Sequence, residues 1–364
     1  MGDQRGNIHM VKADITLKQI LLGIQKAARY SKQITVMFSI KNFKWVIVLA
    51  LSTIANYCHA QESRYSFEKG MMGSPFKLVF YAKNDSIANV AAQAAFKRIE
   101  KLNEILSDYR DGSEINLLSA QSGTGKWIPV SADLFNILAI SQDISEKTDG
   151  DFDATLGPVV QMWRHATRKG IFPADSAIKD AMSRTGYKKL KLDVKTKKVL
   201  LTQKGMRLDI GGLGKGFAAE ETVKVLKGFG IQSVMMDAGG KIVLTNPPPG
   251  AKGWNITISN GSDSLKTMPL SNVALATSGP TYRYMEYNGI RYSHIVDPKT
   301  GIGLLFHVRT TVISPDGTVA DALATAFSVA GIKKSKQMIA QFPESKVWLV
   351  EKQEEHVAEW NTLE

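Results

Sequence analysis

Four glycines and one lysine lie close together in the stretch Asp209-Ile-Gly-Gly-Leu-Gly-Lys-Gly216. Glycine lets the backbone approach a ligand closely, and a helix N-terminus offers free N–H groups. With the positive charge of Lys215, the stretch predicts a cradle for an anion or a phosphate between a strand and a helix. Its spacing matches neither the GxGxxG fingerprint nor a Walker A loop, which excludes both of those classes. A tight turn without a ligand is the alternative.

A second group of chemistry-bearing residues is the pair Asp321 and Thr325, which the segment Val319 to Ala330 places at i and i+4 of a predicted helix. Residues at this spacing share one helix face. A carboxylate and a hydroxyl are hard oxygen ligands that suit Mg²⁺, which keeps its other positions for water and phosphate. The alternative is that the two side chains cap the start of the helix.

His294 stands in the segment Tyr292 to Val296, which the sequence predicts to be a strand followed by a turn at Asp297 to Gly301. Period-2 alternation puts Tyr292, His294 and Val296 on one face. A neutral imidazole beside a turn is suited to act as a general base near neutral pH. A hydrogen-bonded, half-buried histidine without a catalytic role is the alternative.

Two further turns consist of small residues and follow predicted strands: Asp237-Ala-Gly-Gly240 and Ala276-Thr-Ser-Gly279. Each would let the backbone come close to a bulky ligand.

The elements that must position these residues mix strand and helix signals without a strict βαβ alternation. Long helices are predicted over Ser86 to Leu106, with Ser86 as the cap, and over Ala132 to Thr148. Shorter ones are predicted over Glu220 to Lys227 and Val319 to Ala330. Strand patterns occur at Phe76–Tyr81, Trp127–Val130, Lys198–Thr202, Met206–Ile210, Ser233–Met236, Trp254–Ile258, Tyr292–Val296 and Lys346–Val350. The sequence therefore predicts an α+β domain with a mixed, mostly antiparallel sheet flanked by helices.

The composition is that of an ordinary globular protein: 364 residues, 44% hydrophobic, with 46 basic and 34 acidic residues and a formal charge of +12. It excludes collagen-like, coiled-coil, disordered and polytopic membrane chains. The first 60 residues hold eight basic and two acidic residues, so they carry +6 of the +12. Half of the basic excess therefore lies in one sixth of the chain, which weakens a nucleic-acid interpretation.

The same N-terminal part has the pattern of a signal peptide. Lys41 and Lys44 precede the 11-residue apolar run Trp45 to Ala55, and Cys58-His-Ala60 provides small residues for cleavage. The run is short for a membrane-spanning helix, and a retained membrane anchor is the alternative. Because Met37 to Ala60 alone makes a leader of conventional length, residues 1–36 are predicted to be an upstream extension from a misplaced start, with an amphipathic segment around Ile15 to Ala28 as the alternative.

Cleavage after Ala60 would leave a single catalytic domain, residues 61–364, with a charge of +6 and no cysteine. We therefore expect an exported protein in the periplasm or on the exterior of the cell envelope, held together without disulfides. A leader that is not cleaved would leave the protein tethered to the membrane.

Eight motifs, taken in order, resemble the ApbE family of FAD:protein FMN transferases, and they extend from residue 70 to about residue 330. They are Met72-Gly-Ser74, Leu106-Ser-Asp-Tyr109 with Ser113-Glu-Ile115, Phe152-Asp-Ala-Thr-Leu-Gly-Pro158, Asp209 to Gly216, Asp237 to Gly240, Ala276 to Gly279, Ser293 to Gly301, and Ala320-Asp-Ala-Leu-Ala-Thr325.

The resemblance implies an ApbE-like fold with the ligand cleft between two lobes. It also implies an enzyme that uses Mg²⁺, takes FAD as substrate, and transfers FMN to a Thr or Ser hydroxyl of an exported target protein with release of AMP. The expected partner is a flavin-acceptor protein of a membrane redox complex, with peripheral or transient membrane association and no nucleic acid.

The resemblance also assigns roles by position. Asp321 and Thr325 would be metal ligands together with a backbone carbonyl of the Gly211-Gly212 turn, and Met72 and Tyr109 would enclose the isoalloxazine ring. His294 would activate the acceptor hydroxyl, with Lys215 as a second catalytic residue. The residues expected to bind FAD are Met72, Tyr109, Asp209, Gly212, Gly214, Lys215, Gly239, Gly240, Thr277, Ser278 and Gly279.

Three positions depart from the family pattern. Ser74 replaces the usual Thr of the first motif and keeps its hydroxyl. Lys241 stands where an acidic residue commonly follows the Gly-Gly turn, and Pro280-Thr281 replaces an Asp after the second small-residue turn. The last two changes are expected near the nucleotide or the acceptor, where they would alter the affinity for FAD or the choice of target protein.

Two other activities remain open from the sequence. Water could attack in place of the acceptor hydroxyl, which would make the protein an FAD pyrophosphatase that yields FMN and AMP. Alternatively, the protein could be an exported flavin-binding protein without turnover. A nucleic-acid binder is the weakest alternative, since no recognition motif supports it.

Overall fold

The computed structural model describes residues 21–29, 62–259, 265–279, 284–353 and 356–363. The chain divides into two compact units, residues 1–61 and 62–364. In the first unit the described residues form one helix, α1 (21–29), and all nine are exposed. The predicted start Met37, the apolar run and the cleavage site, as well as Pro280-Thr281, lie outside the described residues. Within the described ranges, no helix is both long and apolar enough to cross a membrane.

The second unit, residues 62–364, contains α helices, two short 3₁₀ helices and β strands. The described helices are α2 (Asp85–Leu106), α3 (Glu114–Ala120), α4 (Ala132–Lys147), α5 (Gly157–Lys169), α6 (Asp175–Ser183), α7 (Gly214–Gly228) and α8 (Gly317–Met338), and the 3₁₀ helices are Tyr187–Lys189 and Ile339–Gln341. Helix α8 is interrupted at Gly331, whose φ of 68° is not helical.

The described strands form one large sheet and three small ones. They are β1 (Ser63–Met71), β2 (Ser74–Ala82), β3 (Ile128–Pro129), β4 (Leu190–Asp193), β5 (Lys198–Leu201), β6 (Val234–Ala238), β7 (Lys241–Leu244), β8 (Trp254–Ser259), β9 (Leu265–Leu270), β10 (Val273–Ser278), β11 (Tyr284–Tyr287), β12 (Ile290–Ser293), β13 (His307–Ser314), β14 (Lys346–Gln353) and β15 (His356–Asn361). The main sheet has the order β1-β2-β6-β7-β10-β13-β14-β15, and every neighbouring pair in it is antiparallel. The small sheets are β3-β5-β4, β8-β9 and β11-β12.

The two faces of the main sheet are covered by different elements, as strand β2 illustrates. Phe76, Leu78 and Phe80 alternate toward the large core that also contains buried residues of α2, α7 and α8. Val79 faces the other way, into a smaller cluster with Trp254 of the β8-β9 hairpin. Successive side chains of a strand point to opposite faces, so apolar residues on both faces of β2 indicate a sheet covered on both sides.

Three helices begin at other residues than predicted. Helix α2 begins at Asp85, and its cap is Asn84, whose Oδ1 accepts from the Ile87 N–H at 2.9 Å, so the prediction of Ser86 as the cap was wrong. Helices α7 and α8 each begin earlier than predicted, at Gly214 and Gly317.

The segment Met206–Ile210 is not a strand. It makes only one isolated parallel bridge, between Arg207 and Leu156. Its other main-chain contacts go to loops and side chains: the Asp209 N–H donates to the Ala154 carbonyl at 2.8 Å, and the Leu208 N–H donates to the Ser119 hydroxyl at 3.1 Å. The apolar alternation is real, because Met206, Leu208 and Ile210 are buried, but a neighbouring strand is missing.

The first turns of α7 and α8 touch through glycines, which gives a prediction about stability. A Cβ on Gly216 would lie 2.1 Å from the carbonyl oxygen of Gly317, so an alanine would have to push the two helices apart. We expect Gly216→Ala to lower the free energy of unfolding by about 3 kcal/mol, as overpacking in a closed interior does. Denaturant unfolding measures this change.

The matched control is Gly228→Ala at the other end of α7, where an added Cβ meets nothing within 4 Å. It should leave stability unchanged or raise it by up to about 1 kcal/mol through helix propensity. Equal stabilities of the two variants would contradict the close contact of α7 with α8.

Candidate active site

The predicted glycine-rich loop and the predicted Asp321 meet at the N-terminal ends of α7 and α8. The Gly216 N–H, in the first turn of α7, donates to Asp321 Oδ2 at 3.1 Å, and the Gly317 N–H donates to Glu220 Oε1 at 2.7 Å. Asp321 is buried, with 2% of its surface exposed. A buried carboxylate at a helix N-terminus is stabilised by the free N–H groups and the helix dipole. The structure thus joins two motifs that lie far apart in the sequence.

Asp321 does not cap its own helix. The cap of α8 is Asp316, whose Oδ1 accepts from the N–H groups of Thr318 and Val319 at 2.7 and 3.0 Å. Asp321 stands farther along α8 and turns toward α7 instead. The alternative that Asp321 serves as the cap of its helix is therefore wrong.

Thr325 lies one turn after Asp321 and faces the Gly211-Gly212 turn. Its Oγ1 donates to the Asp321 carbonyl at 3.4 Å, and a Cβ placed on Gly212 would lie 3.1 Å from that Oγ1. Gly212 therefore leaves room for its own backbone to come close to Thr325. Lys215, second residue of α7, is half-buried beside this loop, and Gly214 is buried.

The donor set around Asp321 suits a hard divalent cation. It offers a carboxylate, a hydroxyl and the backbone of the Gly212 turn, all of them oxygen donors close together. The described part of the chain has no group of three His, Cys, Asp or Glu residues arranged to hold a metal. A cation at Asp321 would therefore need carbonyl, water and substrate oxygens, which is the coordination that Mg²⁺ favours at phosphate sites.

Lys241, which the sequence analysis did not include among the site residues, lies against Asp321. Its Nζ is 3.3 Å from Asp321 Oδ1 and donates to the Thr277 carbonyl oxygen. The residue is 9% exposed. Its departure from the family pattern was the only signal in the sequence, and this signal did not indicate which residue the ammonium would reach.

The two small-residue segments lie at one edge of the main sheet. Gly239 and Gly240 form the turn between β6 and β7, whereas Thr277 and Ser278 belong to strand β10, so the prediction of a turn at Ala276–Gly279 was wrong. In the register of the sheet, Phe76 of β2 pairs with Ala238 of β6, and Lys241 of β7 pairs with Ala276 of β10, which brings the ends of these strands together. A Cβ on Gly239 would come within 2.6 Å of the Ser74 Cβ, so the β6-β7 turn packs on the β1-β2 turn. The residues gathered at this edge are Met72, Gly239, Gly240, Thr277, Ser278 and Gly279.

Backbone strain marks the turns at this edge. Met72 has a φ of 47°, a conformation that only a few per cent of non-glycine residues adopt, and Gly239 and Gly240 have φ of 65° and 85°. The Gly240 N–H donates to Asp237 Oδ1 at 2.7 Å, which fixes the turn before Lys241. Thr277 is fixed as well, since its Oγ1 and the Oγ1 of Thr311 are 2.9 Å apart.

Tyr109 and Asp209 are linked through Arg164, a residue that the sequence analysis missed. The guanidinium of Arg164 contacts Asp209 Oδ2 at 3.0 Å, pairs with Asp108, and lies over the Tyr109 ring at 4.2 Å from its centre. Asp209 Oδ1 accepts from the Gly211 N–H at 2.8 Å. Tyr109 is 70% exposed, so its outer surface is open to a ligand. Arg164 thus connects an exposed aromatic ring to the glycine-rich loop.

The electrostatics of this group follow from its burial. Burial raises the pKa of Asp209, the nearby charge of Asp108 raises it further, and Arg164 opposes both. Burial acts to lower the pKa of Arg164, but Asp209 and Asp108 outweigh it and leave that pKa raised. Arg164 is therefore the cation that opposes the rise in the pKa of Asp209.

Replacing Arg164 tests this function. Arg164→Met would leave Asp108 and Asp209 without their cation, and breaking a buried pair in this way costs about 3–5 kcal/mol of stability. The folded-state pKa of Asp209 would then rise further above its unfolded value. Such a carboxyl destabilises the fold increasingly as the pH rises above the unfolded pKa, so the loss of stability should be larger at pH 8 than at pH 5. Denaturant unfolding at both pH values measures it.

Arg184→Met provides the matched control, because Arg184 pairs with the exposed Asp180 one helical turn away. An exposed pair of this kind contributes about 0–1 kcal/mol. If Arg164→Met shows an equally small loss, or a loss that does not depend on pH, Arg164 is not the counter-ion.

His294 follows strand β12 of a small sheet and lies neither in the main sheet nor in α7 or α8. Strand β12 ends at Ser293, whose hydroxyl accepts from the Ile295 N–H at 3.0 Å, and His294 lies in the bend that follows, with an exposed side chain. The predicted strand to Val296 and its alternation were therefore wrong, since Ile295 and Val296 are both buried. The described contacts join Tyr109 and Asp209 through Arg164 of α5, and they join the other predicted residues to the edge of the main sheet and to α7 and α8.

The segment around His294 packs on α5 and α6. Tyr292 stacks on Trp163 with ring centres 5.7 Å apart, and the Trp163 indole N–H donates to the Gly301 carbonyl at 2.8 Å. Lys299 of the following turn contacts the buried Asp151 at 3.1 Å. These contacts fix the backbone on both sides of His294 and leave the imidazole on the surface.

Comparison with known proteins gives consistent results. The model of the ApbE family matches residues 72–349. The FAD:protein FMN transferase of Treponema pallidum is 29% identical over 303 residues, which cover 78% of this chain and 83% of that protein. That of Haemophilus influenzae is 26% identical over 307 residues, covering 80% and 88%. The apo crystal structure of the Pseudomonas stutzeri flavinyl transferase ApbE has a TM-score of 0.75 and 25% identity, covering 83% of this chain and 96% of that one.

Proposed function

This chain belongs to the ApbE family, and from that membership and the geometry of its site we propose that it is an FAD:protein FMN transferase. The observation that carries the proposal is the meeting of the glycine-rich loop with the buried Asp321 at the first turns of α7 and α8. This arrangement puts the positive end of the α7 dipole and a hard oxygen donor at one place, as the binding of a diphosphate with a divalent cation requires.

The proposed reaction is a phosphoryl transfer. The oxygen of a Thr or Ser hydroxyl on the target protein attacks the phosphorus atom of FAD that bears the FMN half. A new P–O bond forms, and the bond between that phosphorus and the bridging oxygen breaks. AMP leaves with the bridging oxygen, and the hydroxyl proton passes to a base. Positioning and charge stabilisation supply most of the rate enhancement in reactions of this type.

The residues of the loop and of α8 bind the diphosphate. The positive end of the α7 dipole and the ammonium of Lys215 would face the negative charge of the diphosphate, and the glycines let the phosphates approach the backbone. Asp321, Thr325 and a carbonyl of the Gly211-Gly212 turn would hold Mg²⁺. When bound, Mg²⁺ neutralises the charge that develops on the phosphoryl oxygens.

The flavin and nucleotide parts of FAD would lie along the edge of the main sheet. Met72 and the exposed ring of Tyr109 are suited to enclose the isoalloxazine ring. The guanidinium of Arg164 packs on one face of the Tyr109 ring and keeps it in place. Asp209 would bind the nucleotide while Arg164 and the Gly211 N–H keep it oriented. The Gly239-Gly240 turn and the end of β10 at Thr277–Gly279 present backbone without bulky side chains to a large ligand.

His294 would receive the proton of the acceptor hydroxyl at a ring nitrogen. Its exposed position suits a base that must meet a second protein, because the acceptor arrives from solvent. A positioned histidine contributes typically 10²–10⁴-fold to such a step.

We propose further that the protein is exported, with residues 1–60 as a leader, and that its partner is a flavin-acceptor protein of a membrane redox complex. The basic, apolar and small-residue pattern of Lys41 to Ala60 supports export. Mass spectrometry of the N-terminus of the protein from its native host would test the leader: a start at Gln61 is expected, and an intact N-terminus at Met1 or Met37 would contradict cleavage.

Incubation of the full chain with FAD and Mg²⁺, with and without a candidate acceptor, tests the activity. A fluorescent flavin on the acceptor after denaturing electrophoresis is the expected result. Release of FMN and AMP with no labelled acceptor would indicate a pyrophosphatase, and unchanged FAD would indicate a flavin-binding protein without turnover. Either of the last two results would contradict the proposal.

A further inference from the structure

The ammonium of Lys241 already contacts one oxygen of the Asp321 carboxylate, which the proposed function names as a metal ligand. Asp321 Oδ1 is 3.3 Å from Lys241 Nζ, and Asp321 Oδ2 accepts from the Gly216 N–H at 3.1 Å. Both carboxylate oxygens therefore have partners. The pair is buried, with 11% of the Lys241 side chain and 2% of the Asp321 side chain exposed.

Burial makes this pairing important for metal binding. A buried carboxylate needs a compensating charge, and here the protein itself supplies that charge. Magnesium binds carboxylate oxygens at about 2.0–2.1 Å. A divalent cation at Oδ1 would then lie against the ammonium, and two cations at such a distance repel each other strongly in a poorly solvated site.

The surroundings of Lys241 hold its ammonium in this place. Lys241 is the first residue of β7 and follows the Gly239-Gly240 turn, which the hydrogen bond from the Gly240 N–H to Asp237 fixes. Its Nζ also donates to the carbonyl of Thr277, whose side chain contacts Thr311 on the next strand. The ammonium is thus held by β10 as well as by Asp321.

We propose that Lys241 is a tethered counter-cation that competes with the divalent metal for Asp321, so that metal binding in this protein depends on FAD. This inference rests on the proposed function, because it takes Asp321 as the metal ligand. Without FAD, the ammonium neutralises Asp321 and the divalent cation binds weakly. When FAD binds, its diphosphate adds negative charge and oxygen ligands, and the cation and the ammonium are then both compensated.

The experiment measures the binding of Mn²⁺, as a probe for the divalent cation, to the full chain with and without FAD. Electron paramagnetic resonance of free Mn²⁺ gives the dissociation constants directly and does not require turnover. Wild type should bind Mn²⁺ at least about tenfold more tightly with FAD than without it, a difference expected when one buried unit charge is compensated.

Two variants remove the charge of Lys241. Lys241→Met keeps an unbranched apolar chain of similar length, and Lys241→Gln keeps a donor for the Thr277 carbonyl. In the absence of FAD, both should bind Mn²⁺ at least about tenfold more tightly than wild type, and the effect of FAD should shrink accordingly. Lys241→Arg keeps the charge and should bind Mn²⁺ no more tightly than wild type does.

Lys198→Met is the matched control, since Lys198 is also the first residue of a strand, β5, and is partly buried. It removes the same charge from the protein and should leave Mn²⁺ affinity unchanged. Thermal unfolding of each variant shows that it is folded. A purely structural role of Lys241 would lower the melting temperature and leave the Mn²⁺ affinity unchanged.

The results separate this inference from the proposed function. If Asp321→Asn keeps Mn²⁺ binding in the presence of FAD, Asp321 is not the metal ligand, and the proposed site is wrong. If Asp321→Asn loses that binding while folded Lys241→Met and Lys241→Gln bind Mn²⁺ within twofold of wild type, the metal site stands and the competition by Lys241 is refuted.

Discussion

Asp321→Ala should lower the rate of FMN transfer by about 10³-fold or more at millimolar Mg²⁺. The substitution removes the carboxylate that accepts from the Gly216 N–H in the first turn of α7. A metal ion contributes several kcal/mol to a phosphoryl transfer, and each 1.4 kcal/mol corresponds to a factor of ten in rate. The measurement is the initial rate of acceptor labelling as a function of Mg²⁺ concentration.

The ion pair with Lys241 complicates this experiment. Asp321→Ala leaves a buried ammonium without its partner, which costs about 3–5 kcal/mol of stability and could reduce activity by unfolding. The double variant Asp321→Ala/Lys241→Met removes both charges and should recover much of the stability while the rate stays low. A full rate for either folded variant at ordinary Mg²⁺ concentrations would contradict the metal assignment.

His294→Ala should slow transfer by about 10²-fold or more, as expected for a lost general base. It should leave the affinity for FAD nearly unchanged. His294 lies on the bend after β12, whereas the residues proposed to bind FAD lie at the edge of the main sheet, at the start of α7 and the loop before it, and, for Tyr109, after α2. Flavin fluorescence titration gives the affinity, and single-turnover labelling gives the rate.

His165→Ala is the control for this variant, because His165 is an exposed histidine on α5. Its rate should equal that of wild type. If His294→Ala also transfers FMN at the wild-type rate, another group is the base. If it loses FAD affinity in proportion to the rate, His294 binds substrate and does not act as a base.

The fold class was predictable from local patterns. The α+β class, the mostly antiparallel sheet and the ApbE-like fold are confirmed by the main sheet and by the solved relatives. Periodicity identified α2 and α4 closely because their buried positions recur every three or four residues. The predicted strand Met206–Ile210 was wrong because alternating burial shows only that the two sides of a segment have different surroundings. Such a segment can pack against helices and loops, without a neighbouring strand.

The candidate site was predictable where the residues suited to bind a ligand or a metal lie together in one short segment. The pair Asp321 and Thr325 follows from helix spacing, and the glycines before α7 follow from their own conformational freedom. The contacts of Lys241 with Asp321 and of Arg164 with Asp209 were not predictable, since each joins two elements that are distant in the sequence. A lysine at the start of a strand and an arginine within a helix look like ordinary surface residues until the sheet and the helices are assembled.

The functions of the predicted site residues and the two-lobe description of the ligand cleft remain predictions. Residues 62–364 form one compact unit. Its described contacts bring Asp321, Thr325 and Gly212 to the N-terminal ends of α7 and α8, and the β1-β2 turn, the β6-β7 turn and the end of β10 to one edge of the main sheet.

Intact-mass spectrometry of a candidate acceptor incubated with the full chain is the decisive test of FMN transfer. We predict that the acceptor gains the mass of one FMN less one water, only when both FAD and Mg²⁺ are present, and that AMP appears in equal amount. Tandem fragmentation should place the added mass on a Thr or Ser side chain. An acceptor of unchanged mass beside free FMN and AMP would contradict FMN transfer to a protein. A mass gain that persists without FAD would contradict FAD as the source of the added group.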